Sequence, residues 1–194
     1  MIHKFAGRAD FSVASVILFL VLISASPLRA QEAARVDAFG GFSYMRFNAL
    51  TIGYPNDTNL YGFNAEGTFN IKLWLAVTAN VSGNYGSQMS SYHFMIGPQY
   101  TWRRDTSNIF VHGLFGKAQN NVSIVQPTRS GFESVGRSFG AGFGYDHDWR
   151  DRFSIRVLQI DVFHSDTFKK SQNDARVSTG LVFHFGHIGH HRKL

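Results

Sequence analysis

Apolar and polar residues alternate with a period of two along most of this 194-residue chain. The pattern is cleanest where Phe63, Phe69 and Ile71 fall on one face of a segment and Asn64 and Glu66 on the other. Side chains of an extended strand point alternately to opposite faces, so this period predicts β-strands rather than helices. The pattern occurs in eight segments: Arg35–Asn48, Leu60–Ile71, Leu73–Asn84, Ser91–Arg103, Asn108–Asn120, Ser138–Asp148, Arg152–His164 and Ala175–Gly186.

The length and spacing of these segments point to a membrane barrel. The segments have 11–14 residues, whereas strands of globular sheets have about 5–6 and tilted transmembrane strands about 9–11. Short connections alternate with longer polar ones, which are Ala49–Asn59, Tyr85–Ser90, Asn121–Arg137 and Ser165–Asp174. We therefore expect an eight-stranded antiparallel transmembrane β-barrel with short periplasmic turns and longer extracellular loops. A soluble β-sandwich is the alternative fold, although it gives no reason for this alternation.

Residues 1–30 have the features of a secretory signal peptide. Lys4 and Arg8 are positively charged, an apolar run covers Val16–Ile23, and cleavage is expected near Ala30. The alternative is a membrane-anchoring helix, but the uncharged run falls short of the roughly 18–20 apolar residues that such a helix needs. The predicted organisation is a signal peptide over 1–30, a barrel over 31–186 and a short, basic, His-rich tail over 187–194.

The composition narrows the classes of partner and site. The chain has no cysteine, which excludes disulfides and thiolate metal sites. Its formal net charge is only +6, and no Lys/Arg cluster is interleaved with stacking aromatic residues, so no nucleic-acid partner is indicated. The excess of positive charge favours contact with anionic lipid headgroups, and the expected partner is outer-membrane lipid.

In a membrane barrel the apolar face of each strand contacts lipid and the polar face lines the interior. The candidates for interior charges are Glu66, Asp161, Arg137 and Arg176. A carboxylate inside a small barrel needs a partner, which predicts a Glu66–arginine or an Asp161–Arg176 pair acting as a structural device or a narrow gate. The same groups are possible catalytic acids, but no Ser/His/Asp set has a suitable spacing, and we expect no enzyme. The faces of the first and fifth segments are left open.

Two other motifs have structural interpretations. Phe139–Gly144 contains a G-x-G-x-G string, but the strand continues after it and no helix follows to bind a phosphate. Glycines on the inner wall instead leave room for long side chains from opposite strands. His187, His190 and His191 form a short cluster without an ordered scaffold, so we expect neither a metal site nor a cofactor.

Several stretches resemble a known family: Val36–Tyr44, Gly97–Arg103, Ile109–Gly116, Ile155–Asp161 and Ser178–Gly186. They are similar to the outer-membrane β-barrel domain family, the porin-like family whose type is the eight-stranded barrel of outer membrane protein A. The resemblance implies a monomeric barrel of a Gram-negative outer membrane, inserted by the barrel-assembly machinery. It implies no single activity, because members include anchors, small pores and adhesins.

The last segment also resembles the recognition signal of that machinery, polar-x-Gly-x-x-aromatic-x-aromatic. Ser178, Gly180, Phe183 and Phe185 occupy the four defined positions, with Val36–Tyr44 as the expected pairing partner of this strand. The departure is that residues 186–194 follow the last aromatic, whereas the usual signal stands at or near the terminus.

The sequence thus predicts a non-catalytic outer-membrane barrel with a plugged polar interior and a structural or surface-interaction role. Asn121–Arg137 is the longest predicted loop and the expected place for partner contacts. The first alternative is a small gated pore for passive passage of ions or solutes. The second is a lipid-modifying outer-membrane enzyme.

Overall fold

The computed structural model describes residues 34–47, 58–124, 130–150, 152–167 and 170–186, which all lie in one compact unit, Glu32–Leu194. They form eight antiparallel strands that close into a barrel. The strands are β1 (Val36–Phe47), β2 (Thr58–Asn70), β3 (Leu75–Tyr85), β4 (Met89–Arg104), β5 (Ser107–Ile124), β6 (Ser130–Arg150), β7 (Phe153–Thr167) and β8 (Lys170–Phe185). Within the described residues, no helix is long and apolar enough to span a membrane.

Each strand pairs with its neighbour in sequence, and β8 closes the barrel against β1. In that closing ladder Val36 pairs with Phe185 and Tyr44 with Val177. Closure leaves no sheet edge along the strands, which is the condition for a β-structure to span lipid. The predicted fold class and the predicted seam between the first and last strands are confirmed.

The hairpin of β5 and β6 is longer than predicted. These strands have 18 and 21 residues, and their ladder continues through Asn121↔Glu133 to Ile124↔Ser130. The prediction that Asn121–Arg137 is a loop is therefore wrong for most of its length, although residues 125–129 lie outside the described residues. A hairpin that projects into water needs no apolar face, so its polar composition resembled that of a loop.

The faces of the strands agree with the lipid-outside assignment. On β2, Asn64, Glu66, Thr68 and Asn70 are buried inside, whereas Phe63 and Phe69 are exposed on the outer wall. The structure also settles the two strands that the sequence left open. Phe39, Ser43 and Met45 of β1 face inward, as do Phe110, His112 and Leu114 of β5.

Aromatic side chains gather at both ends of the strands. Near the outer loops, Tyr44 and Tyr61 lie with ring centroids 5.5 Å apart, and Tyr85 meets Tyr92 edge to face at 5.6 Å. At the opposite end, Tyr100 contacts both Trp74 and Trp102, with centroid distances of 5.6 and 4.5 Å. These belts place amphipathic rings at the two membrane interfaces.

One irregularity in β7 repositions charged groups. Tyr145 of β6 pairs with Leu158, but the next residue, Asp146, pairs with Arg156, so Val157 is an extra residue in β7. The ladder to β8 shows the same register shift between Arg156 and Gln159. This β-bulge turns Val157 and Leu158 both outward and Arg156 inward.

Candidate functional site: the charge network inside the barrel

The centre of the barrel contains a buried ion group built from three strands. Arg156 of β7 donates from Nη1 to Glu66 Oε2 of β2 at 2.6 Å and from Nε to Asp146 Oδ1 of β6 at 2.8 Å. A second bond joins its Nη2 to Asp146 Oδ2 at 3.1 Å, which makes the Asp146 contact bidentate. One guanidinium therefore links carboxylates from two parts of the wall.

Two aromatic rings enclose this guanidinium. Its Cζ lies 4.2 Å from the ring centroid of Phe39 and 4.3 Å from that of Phe110. Both distances lie within the range of cation–π attraction, which is stronger for a desolvated cation. The arrangement fixes the side chain in the middle of the lumen, where Arg156 is only 3% exposed.

A second ion group is centred on Asp161 of β7. Arg176 of β8 donates from Nη2 to Asp161 Oδ2 at 2.8 Å, and His112 Nε2 of β5 lies 2.8 Å from Asp161 Oδ1. Arg176 also donates from Nη1 to Ser82 Oγ of β3 at 2.5 Å, which carries the contacts across the lumen. The ring of Phe163 lies beside the guanidinium, with its centroid 4.7 Å from Cζ.

Gln159 joins the two groups into one network. Its Nε2 donates to Glu66 Oε1 at 2.6 Å and to Asp161 Oδ2 at 3.0 Å. Its Oε1 accepts a bond from Arg156 Nη1 at 2.7 Å. Asn80 adds a further donor to Glu66 Oε1, also at 2.7 Å. Buried charges are tolerated when they are paired and their remaining sites are hydrogen-bonded, and both conditions are met here.

The glycine string of β6 makes space for this network. A Cβ added to Gly142 would collide with Asp161 Oδ1 and His112 Nε2, and one added to Gly144 would collide with the ring of Phe110. Gly140 similarly faces the ring of Phe163. The prediction that these glycines leave room for long side chains from other strands is confirmed.

A separate polar cluster lies at the end of the lumen near the short turns. Asp37 of β1 contacts His184 Nδ1 at 2.7 Å and accepts a bond from Asn70 Nδ2 at 2.7 Å. The other ring nitrogen of His184 lies 2.6 Å from Ser154 Oγ, which itself donates to Asp148 Oδ1 at 2.6 Å. This cluster ties β1, β8, β7 and β6 together close to the seam.

The opposite end of the lumen is apolar, contrary to the predicted polar interior. Met45, Phe47, Leu60, Met89 and Val122 are inward-facing side chains at the strand ends beside the outer loops, and all are at most 5% exposed. The interior is therefore polar in its middle and at the turn end, and it has an apolar cluster at the loop end. The expectation of a polar interior is therefore wrong at the loop end.

The structure brings three of the four predicted interior charges together. Glu66, Asp161 and Arg176 belong to the network, and Asp161 pairs with Arg176. Arg137 was placed wrongly, because it occupies the same face of β6 as Phe139 and is exposed on the outer wall. Arg156 was not among the predicted residues, and it takes the interior position through the bulge. The only signal was the consecutive apolar pair at Val157 and Leu158, which interrupts the alternation.

The residues of the predicted assembly signal lie on β8 at the seam. Phe183 and Phe185 face outward, with exposed fractions of 39% and 55%. Ser178 faces inward and accepts a hydrogen bond from Asn64 Nδ2 at 3.3 Å. Gly180 packs against the backbone of β1, because a Cβ there would collide with the carbonyl oxygen of Gly40. The predicted signal peptide and the His-rich tail lie outside the described residues.

Among the described residues, no group of three or more His, Cys, Asp or Glu side chains is arranged to hold a metal ion. His93, His112 and His184 lie on strands and point into the barrel. His93 stacks on Phe163 at 4.7 Å, whereas the other two contact carboxylates. The geometry of these residues is that of packing and hydrogen bonding.

No family model and no curated protein sequence matches the chain. Solved structures do match it in fold. Neisserial surface protein A (NspA) superposes with a TM-score of 0.64 at 8% identity, over 80% of this chain and 100% of that one. Ail, the attachment invasion locus protein of Yersinia pestis, gives 0.57 at 15% identity, over 78% and 99%. The N-terminal β-barrel domain of Pseudomonas aeruginosa OprF gives 0.50 at 13%, over 79% and 100%.

Identities this low establish the fold alone. The chain has the eight-stranded antiparallel barrel fold of bacterial outer-membrane proteins, and the predicted resemblance to such barrels is confirmed at the level of structure.

Proposed function

We propose that this protein is a non-catalytic, non-conducting barrel of the outer membrane, with a structural or surface-interaction role. The network from Glu66 through Arg156 and Gln159 to Asp161 and Arg176 carries the proposal. It joins side chains from β2, β3, β5, β6, β7 and β8 by direct hydrogen bonds across the lumen.

Conduction would require this network to open. Small barrels of eight strands have interiors that side chains can fill. To pass an ion, Arg156 would have to leave two carboxylates and two aromatic rings, and the apolar cluster around Met45 and Phe47 would also have to separate. Every one of these contacts would have to break at the same time, which opposes opening of the lumen.

A closed lumen leaves the outer surface as the place of function. The β5–β6 hairpin has the two longest strands, with 18 and 21 residues against the about 9–11 that cross a bilayer. Its excess length lies on the side of the outer loops. Ail, an attachment invasion locus protein, shares the fold. A contact with an external partner through this hairpin is the surface role that we propose.

The remaining parts of the chain fit this location. We propose that residues 1–30 direct export and are cleaved near Ala30, and that Ser178, Gly180, Phe183 and Phe185 are read by the barrel-assembly machinery during insertion. The mature barrel is proposed to be a monomer surrounded by outer-membrane lipid. The tail at 187–194 is proposed to extend into the periplasm.

Planar-bilayer recordings of the purified full-length mature protein test the closed lumen. Wild type should give no discrete current steps. The double variant Arg156→Ala with Arg176→Ala removes both guanidiniums from the lumen and is the positive comparison in which steps are expected. Discrete, ion-selective steps from wild type that Glu66→Gln abolishes would overturn the proposal and establish the gated pore.

The non-catalytic part of the proposal has its own test. Lipid A is extracted from cells with and without the gene and compared by mass spectrometry. The two spectra should carry the same acyl chains. An acylation pattern that changes with the protein would establish the lipid-modifying enzyme and contradict the proposal.

A further inference from the structure

Two cationic side chains stand side by side on the outer wall of the barrel. Lys117 of β5 and Arg137 of β6 are directly paired in the ladder, and both are exposed. Residues paired in this way have Cβ atoms about 4.5–5.5 Å apart, and like charges at this separation destabilise a sheet. An anion bound between the two positive charges would offset this repulsion.

The depth of this pair identifies the membrane interface. The next outward residues toward the short turns are Phe115 and Phe139, which are 55% and 56% exposed and belong to the lipid-facing belt. On the neighbouring β4, Lys117 pairs with Phe94, and Tyr92 of the outer aromatic belt is the next outward residue. The two cations therefore lie at the outer edge of the apolar belt, where a charged side chain is tolerated much better than at the bilayer midplane.

The carboxylates of Glu133 and Asp166, which lie closest to this pair in strand register, accept hydrogen bonds from other side chains. Gln119 donates to Glu133 at 2.9 Å, and Asp166 of β7 accepts a bond from Ser171 Oγ at 2.9 Å. His164 Nε2 lies 4.0 Å from the carboxylate of Asp166 on the same side of the wall. Within the described residues, no carboxylate lies in ion-pair contact with Lys117 or Arg137.

The basic residues at the opposite interface are arranged differently. Lys72 Nζ lies 5.4 Å from the ring centroid of Trp74, and Arg150 Cζ lies 5.6 Å from that of Trp149. These cations are each attracted by an indole face of their own strand or turn. In the part of the chain that the structure describes, neither Lys117 nor Arg137 has such a ring contact.

We propose that Lys117 and Arg137 form a binding site for the phosphate of a phosphorylated glycolipid of the outer leaflet. A guanidinium binds phosphate through two parallel hydrogen bonds and an ammonium adds a point charge. Phe115 and Phe139 below the pair provide an apolar track for the acyl chains. A phosphate above acyl chains is the order of groups in an outer-leaflet lipid, and the inference rests on the proposed outer-membrane location.

Native mass spectrometry of the full-length mature barrel tests the site. The detergent-solubilised protein is titrated with diphosphorylated lipid A, with its dephosphorylated form and with phosphatidylglycerol. Wild type should retain one diphosphorylated lipid A at least tenfold more tightly than either of the others. The variant K117Q/R137Q should lose at least tenfold in affinity for it, whereas the control K72Q/R150Q, with the same change of charge, should bind like wild type.

Equal binding of the dephosphorylated lipid or of phosphatidylglycerol would overturn the assignment, as would unchanged binding by K117Q/R137Q. Equal losses in both double variants would show a general effect of charge and would also overturn it. The heat-modifiable band of each sample reports whether the barrel is folded. Lost selectivity in a folded, non-conducting barrel would refute only this site and would leave the proposed function standing.

Discussion

Replacing Arg156 by methionine should destabilise the barrel far more than the same replacement at Arg137. Both variants exchange an arginine on a strand for an apolar side chain of similar length. Arg156 contacts Glu66 and Asp146 inside the barrel, whereas Arg137 is exposed on the outer wall. The comparison therefore isolates the effect of position from the effect of side-chain chemistry.

The expected magnitude follows from the contacts. R156M leaves the carboxylates of Glu66 and Asp146 buried without their cation, and such a loss costs about 3–5 kcal/mol. With a urea dependence of about 2 kcal/mol per molar, the unfolding midpoint should fall by about 1.5–2.5 M. R137M removes a charge at the membrane interface and should change the free energy of unfolding by less than about 1 kcal/mol.

Reversible urea unfolding in lipid vesicles measures both values. Trp74, Trp102 and Trp149 provide the fluorescence signal, because they stand at strand ends and lose contact with lipid on unfolding. Adding E66Q to R156M should recover part of the loss, since it removes one of the two orphaned charges. A midpoint for R156M within about 0.5 M of wild type, or a larger loss for R137M, would refute the assignment of Arg156 to the network.

Three further changes test other features of the barrel. Deleting Val157 should leave a heat-modifiable, folded barrel, because it removes only the extra residue of the bulge. Deleting Ile160 should prevent folding, because it reverses the inward and outward faces of half of the strand. G142A should lower the free energy of unfolding in urea by about 1–3 kcal/mol, since its Cβ collides with the ion network. G67A, whose Cβ would lie in open space, should lower it less, and equal losses would contradict this packing. F185A should lower the outer-membrane fraction of newly made protein in a pulse-chase experiment, and an unchanged fraction would show that the signal is not used.

Much of the fold follows from the sequence because the membrane imposes a simple rule on it. Lipid requires an apolar side chain at every second position of a spanning strand. The alternation of Asn64 and Glu66 with Phe63 and Phe69 therefore determines the strand, its faces and the environment at once. Two strands that follow each other in the sequence and both alternate in this way pair antiparallel. The sheet closes into a barrel because the backbone N–H and C=O groups of an open edge would have no hydrogen-bond partners in lipid.

The rule holds only within the membrane, and the errors at the loop end show its limit. Asn121–Arg137 lacks the apolar alternation, yet Asn121 pairs with Glu133 in a regular ladder. Outside the bilayer, water accepts either face of a hairpin, so strand residues there carry no signature of period two. The inward-facing cluster around Met45 and Phe47 was missed for a related reason, since an apolar residue on an inner face looks like an error in the pattern.

The bulge explains why the central cation was missed and why it lies where it does. If alternation is extended towards the N-terminus from the outward-facing Ile160, Leu158 and Arg156 both fall on the lipid face. If it is extended towards the C-terminus from the outward-facing Ile155, Arg156 and Leu158 both fall inside. Arginine in the middle of the bilayer costs about 2–4 kcal/mol, and an unpartnered Glu66 would cost more. The extra residue Val157 makes both parts of the strand compatible with the barrel. Leu158 then faces lipid, and Arg156 faces inward, where it contacts the two carboxylates. An interruption of alternation beside a charged residue in a membrane strand is therefore itself a signal, and it predicts a bulge and a buried ion pair.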